Sequence, residues 1–294
     1  MCGIIWTVSV ITPARGMVSP ARRCFRAIAR LPDDRINLAE ATLCIAWEDQ
    51  GDGNPPASLR IIDAMAEAAR ERVAGRRDSR AIVAALNNYL FEELGFRGNH
   101  WNYSDPANSF LDQVIARRVG LPILLSVLYL EIGWRLRLPV VGLALPGHFL
   151  VRYIDAREGD LYIDPFNRSR LWSYAECERQ IVSFAGVVDP ALVRQIMAPP
   201  SPRSILIRIL RNLKSAYIQR EQFERALAAV ERILILAFDA GELRDRGLLR
   251  ARLGQWSGAL SDLERYAHLA PQASDLEAIR QRAQALADAL AQYN

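Results

Sequence analysis

A single lysine, Lys214, stands in a chain of 294 residues whose other strong bases are all arginine. The formal charge is only +4, which excludes the heavy positive balance that marks a polyanion-binding protein. A nucleic-acid surface needs arginines gathered on one face with aromatics between them. Here pairs such as Arg76-Arg77 and Arg117-Arg118 are short and interrupted by acids, so no nucleic-acid partner is expected.

Cysteine is scarce as well. Cys2, Cys24, Cys44 and Cys177 are scattered, with no CxxC and no paired spacing. This argues against a disulfide framework and a zinc site, and for reduced thiols in a cytoplasmic protein. No metal constellation or cofactor motif emerges, so neither is expected. The longest apolar runs, LPILLSVLYL and LPVVGLALPG, fall far short of the roughly 20 residues that span a bilayer, and no membrane partner is expected. The start, MCGIIWTVSVI, lacks the positive charge that opens a secretory signal. Its first five residues resemble glutamine amidotransferases, with Cys2 as nucleophile, but an arginine-rich pattern follows at once. The likeness reads as coincidence, with Met17 an alternative start.

What is present is the composition of a globular protein, 51% hydrophobic and 24% charged. Residues 1–20 read as a leader. INLAEATLCIAWED then places Leu38, Ala41 and Ile45 on one helical face. After GDGNPPAS, Ser58 is expected to cap a helix with Ile62, Met65, Ala66 and Ala69 inward; another begins near Asp78-Ser79 and ends around Gly95. FRGNHWNYSDPANSF is turn-rich and aromatic, and its His100 reads as an exposed loop histidine. Ser109 followed by Asp112 predicts a capped helix through Arg117, and Pro122 opens the most apolar helix, to about Leu136. LPVVGLAL, GHFLVRYI and LYIDPF alternate like strands. IMAPPSPRS (196–204) reads as a linker dividing a core, residues 21–198, from a helical module, residues 199–294. Within that module QFERALAAVERILILA (222–237) repeats as QWSGALSDLERYAHLA (255–270) at an offset of 33, with Pro271 closing the second unit. Aromatic, small residue and terminal proline at this period resemble tetratricopeptide repeats. His268, aligned with Ile235, reads as helix packing.

The segment PGHFLVRYIDAREGDLYIDPFN carries the chemistry, with His148 and Asp164 separated by 16 residues. If DAREG (155–159) is a five-residue hairpin loop, Leu150 faces Asp164, and His148 lies diagonal to it on the same face. A carboxylate so placed fixes an imidazole's tautomer and stabilises its charged form. The same pair also serves as a buried strap between two strands.

GLPILLSVLYLEIGWRLRLPV, followed by PGHFLVRY and LYIDPFN, resembles the transglutaminase-like core of the papain-type superfamily. LAEATLCIAWED, NNYLFEELGFRGN and DPANSFLDQVIARRVGLPI, with repeat helices downstream, are similar to its SirB-type branch over about residues 30–294. The resemblance implies an α+β fold: a helical N-terminal region, a papain/transglutaminase-like core with a small antiparallel sheet, and an all-α repeat module. It places His148 and Asp164 at the histidine and aspartate positions. Pro122, or a residue within one of it, falls at the cysteine position, a helix N-terminus where a thiol would ionise readily. Proline offers no nucleophile. The expected protein is therefore a non-catalytic transglutaminase-like one, a peptide- or protein-binding scaffold with regulatory roles running through protein partners. The alternative is a hydrolase or acyl transferase in which His148 and Asp164 activate water or Ser126, which lies one helical turn beyond Pro122.

Overall fold

Short polar side chains open the N-terminal helices. Ser19, Asn37, Asn54 and Asp78 each accept a backbone N–H at the start of α1 (Pro20–Ala29), α2 (Leu38–Gln50), α3 (Pro55–Val73) and α4 (Ser79–Asn87). Asn54, not Ser58, caps α3, because Pro55 and Pro56 sit in the first turn, where a missing N–H costs nothing. α4 continues into a π-helical turn, Asn88–Glu93, and Gly95, at φ +72°, ends it. The computed structural model describes residues 19–186 and 189–293; Cys2 and Met17 lie outside them.

The turn-rich middle forms a small lattice. β1 (Arg97–Gly98) pairs in parallel with β2 (Val119–Gly120), on either side of a 3₁₀ turn, Pro106–Ser109, and α5 (Leu111–Arg117). Ser109 is not a cap here. Asp105 caps the 3₁₀ turn through the Ala107 N–H, Ser109 is buried inside that turn, and Phe110 precedes α5 without a side-chain bond. α6 (Pro122–Arg135) follows, buried from Pro122 through Gly133.

Against α6 lies a four-stranded antiparallel meander of β3 (Val140–Leu143), β4 (Leu150–Tyr153), β5 (Leu161–Asp164) and β6 (Arg170–Trp172). Alternation assigns its two faces. Val140, Phe149, Val151, Tyr153, Leu161 and Ile163 join the main core with α6. Leu143, Leu150 and Tyr162 point the other way, where α7 (Tyr174–Ala185) and α8 (Pro190–Ile196) cover them with Cys177, Ile181 and Val193.

Helices α9 (Pro202–Gln219), α10 (Phe223–Leu236), α11 (Ala240–Arg252), α12 (Trp256–Leu269) and α13 (Leu276–Tyr293) complete the described residues. α10 and α12 start at Phe223 and Trp256, in keeping with the repeat offset of 33. His268 is a correction: it faces solvent near the end of α12 and does not fill the interhelical groove. The prolines near residue 200 break the helix but not the packing. Ile205, Leu206, Ile209, Leu210 and Leu213 of α9 share one core with Leu43 of α2 and Leu128 of α6. Arg203 ties the junction down, bonding Asp33 and the carbonyls of Ala29, Leu31 and Leu236.

A second correction concerns the thiols. Cys24 of α1 and Cys44 of α2 are paired as a disulfide, with Cα atoms 6.6 Å apart. Spacing along the chain gave no sign of it, because the pairing follows from the packing of α1 against α2. No helix among the described residues is long and apolar enough to cross a membrane.

Because α9 completes the core, truncating one of its side chains should destabilise the whole molecule. Leu206→Ala is expected to cost about 2–5 kcal/mol in urea unfolding, with tryptophan fluorescence and far-UV ellipticity lost in one transition. Two separate transitions would mean that the C-terminal helices fold independently.

Candidate functional site

The histidine is delivered by a tight turn. Pro146 and Gly147 occupy the centre of the β3–β4 connection, and the His148 N–H donates to the Leu145 carbonyl at 3.1 Å. With Gly147 at φ +69° this is a type II arrangement, which needs a residue tolerant of positive φ at the third position. A side chain there would also strike the Phe184 ring at 2.6 Å. His148 thus sits just before β4 and not within the strand, as the sequence had indicated.

β4 and β5 pair with Val151 opposite Ile163 and Tyr153 opposite Leu161. Continued outward, that register sets Leu150 opposite Asp164 and leaves His148 diagonal to it. The imidazole closes the gap, with His148 Nε2 2.8 Å from Asp164 Oδ2. Asp164 is fully buried, while the His148 side chain keeps 12% of its exposure.

Four further hydrogen bonds converge on the Asp164 carboxylate. Oδ2 accepts from Asn167 Nδ2 at 2.7 Å and Trp172 Nε1 at 3.1 Å. Oδ1 accepts from the backbone N–H of Phe166 at 3.1 Å and of Asn167 at 3.2 Å. Burial pushes the carboxyl upward, but the bonds from His148 and Asn167 outweigh it and hold Asp164 below the usual carboxylate range. An ionised carboxylate can only accept, so the shared hydrogen is carried by Nε2. The ring's orientation is fixed on its faces too. Trp172 stacks on it at 5.5 Å between centroids, and Phe166 meets it edge-on at 6.2 Å.

Contacts along α6 show what stands beside the imidazole. Trp134 Nε1 donates to the Val140 carbonyl, and Val140 pairs with Tyr153. One turn back, Leu130 approaches Gly142, the partner of Val151. Ser126 Oγ donates to the Phe149 carbonyl at 3.3 Å. α6 therefore runs beside β4 in the same direction, and its first residue, Pro122, lies at the His148 end. Ser126 is fully buried, and its hydroxyl is spent on that backbone carbonyl.

Cys177, free and buried, sits in the cluster on the opposite sheet face, and burial pushes its thiol up to about 12. Glu131 and Asn167, polar groups in apolar text, are both satisfied. Glu131 accepts the Ala39 N–H at 2.9 Å and pairs with Arg135, while Asn167 holds Asp164. His100 is exposed but also tilts onto Phe166 at 4.4 Å, at the edge of the same region.

Two contributors escaped the sequence reading. Asn108, fully buried, bonds the carbonyls of Asn102 and Tyr103 and accepts from Asn99, and its own carbonyl receives the Leu121 N–H at the mouth of α6. Arg208 of α9 donates to the carbonyls of Leu145 at 2.9 Å and His148 at 2.7 Å, clamping the histidine turn from the far side of residue 200. The turn's Pro-Gly pair hinted at the first need for support; nothing in linear order linked Arg208 to it.

Among known proteins, a transglutaminase-like superfamily pattern matches residues 57–211, and a tetratricopeptide repeat pattern matches residues 213–284. A UPF0162 protein of Xylella fastidiosa is 38% identical over 256 residues, covering 86% of this chain and 91% of that protein. Protein SirB1 of Salmonella typhimurium is 30% identical over 195 residues, 65% of this chain and 71% of the relative. Human F-box only protein 21 is 34% identical over 128 residues, 40% of this chain and 20% of that protein. The crystal structure of menin aligns at a TM-score of 0.40 with 12% identity, over 83% of this chain and 68% of menin.

Asp164→Asn would present an amide to donors that need an acceptor, an expected loss of at least about 2 kcal/mol at neutral pH. Since the folded-state carboxyl is depressed, its contribution is complete above the unfolded value of about 4. It disappears as pH falls through the folded value. The gap between wild type and variant in urea unfolding should thus be wide at neutral pH and narrow under acid; a gap that ignores pH would mean that the charge is not what stabilises.

Proposed function

The chain belongs to the transglutaminase-like superfamily, in its SirB-type branch, with tetratricopeptide repeats after the core, and from that premise we propose that it binds and scaffolds protein partners without acyl-transfer chemistry. The observation that carries this reading is Pro122 at the head of α6, a helix whose course along β4 carries that end toward His148. A thioester mechanism needs a sulfur at that point, made nucleophilic by the helix N-terminus and the neighbouring histidine. Proline supplies neither thiol nor hydroxyl.

The remaining cysteines among the described residues give no substitute. Cys24 and Cys44 are joined to each other, and Cys177 is buried on the far face of the sheet. The hydrolase alternative, with Ser126 or water activated by His148 and Asp164, has less support. Ser126 is fully buried and its hydroxyl donates to the Phe149 carbonyl, which speaks against an exposed nucleophile there. Under this reading the core retains the dyad as architecture around a peptide-sized cleft, and α9–α13 add a second surface of the kind that stacked helix pairs present.

Two measurements on the full chain test it. Amine-incorporation and peptide-hydrolysis assays should give turnover no higher for wild type than for His148→Ala; turnover that depends on His148 would refute the proposal. Pro122→Cys should create a thiol that iodoacetamide labels faster than free cysteine at neutral pH, with the advantage lost in Pro122→Cys/His148→Ala. An unreactive thiol there would show that position 122 is not the nucleophile position.

A further inference from the structure

Beyond Phe166 the dyad adjoins a second concavity, of about 690 Å³, whose walls include Arg97, His100, Trp101, Arg117 and Arg168. Its chemistry is one-sided. Three guanidinium groups reach it from β1, α5 and the loop after β5, and no carboxylate lines it. Arg117 is paired with Asp105 at 3.0 Å. Arg97 and Arg168 are exposed and form no ion pair or side-chain hydrogen bond among the described residues. Arg168 and Ser169 both hold positive φ, +51° and +58°, a conformation that costs non-glycine residues energy and here projects Arg168 at the rim.

The other half of the site is aromatic. Trp101 is 89% exposed, an unusual position for the largest apolar side chain. Phe166, which lines the same concavity, is packed by His100 at 4.4 Å and by Tyr103 at 6.0 Å. Unpaired guanidiniums recognise carboxylates through two parallel hydrogen bonds, and an exposed indole supplies a flat apolar lid at small entropic cost. The volume lies in the range of small-ligand and peptide-anchor pockets.

We propose that this concavity is an acidic-peptide site, in which Arg97 and Arg168 take glutamate or aspartate carboxylates and Trp101 covers an adjacent apolar side chain. The assignment rests on the reading of the core as a binding domain and adds a ligand class at a concavity beside the dyad. A peptide fits better than a nucleic acid, because the arginines form a compact cup and not a stripe that could follow a phosphate backbone. The arginines come from three separate parts of the chain, so their assembly escapes a reading that looks for local basic runs.

The test is a fluorescence titration of the full-length protein with a short synthetic peptide of glutamates interspersed with phenylalanine. Saturable quenching is expected, absent in Trp101→Phe, weakening as salt rises. Affinity should fall by about tenfold or more in Arg97→Ala/Arg168→Ala, with circular dichroism confirming that the variant is folded. Equal binding of the glutamine counterpart would overturn carboxylate recognition. Tighter binding of an oligothymidylate than of the peptide would overturn the peptide assignment, and full competition by inorganic phosphate at matched concentration would reduce the site to a simple anion trap. His148-dependent cleavage of the bound peptide would refute the non-catalytic core and leave the acidic-peptide site standing; no quenching at all would remove the site and leave the non-catalytic core untouched.

Discussion

The Asp164 carboxylate is the constraint around which the core is organised. It is fully buried, yet five donors from three places in the chain converge on it: the histidine turn, the segment after β5 (two backbone N–H groups and the Asn167 amide) and the β6 indole. A buried charge is tolerable only when its lone pairs are met. Here meeting them simultaneously fixes the end of β5, the approach of β6 and the tilt of His148. The hydrogen on Nε2 and the ring's placement against Trp172 both follow from this one negative group.

An imidazole so prepared is half of a catalytic device. In acyl transfer its role is to receive a proton from a nucleophile and return it to a leaving group. Under the proposed reading, Pro122 at the head of α6 offers no proton from that direction. What the structure shows directly is a brace, the His148–Asp164 bond joining the β3–β4 turn to the end of β5.

Much of the architecture was legible because its signals are local. Hydrophobic period placed α2 and α3, a proline opening the most apolar run placed α6, the 33-residue offset placed the repeat helices, and alternation with a five-residue loop fixed the β4–β5 register, hence the contact between His148 and Asp164. What escaped was whatever depends on the third dimension. Ser58 and Ser109 have the right chemistry for caps, but Pro55 and Asp105-Pro106 start their turns earlier and take those positions away. Cys24 and Cys44 are 20 residues apart and meet only because α1 folds back on α2. Arg208 is 60 residues from the carbonyl it holds, and its helical stripe gives no hint of such a target. His268 occupies a position that is apolar in the first repeat but faces solvent in the second.

The grip of Arg208 on the His148 carbonyl has a genetic corollary. A frameshift or stop codon before position 208 removes the side chain that holds the Leu145 and His148 carbonyls, so such a lesion reaches the dyad from downstream in the chain.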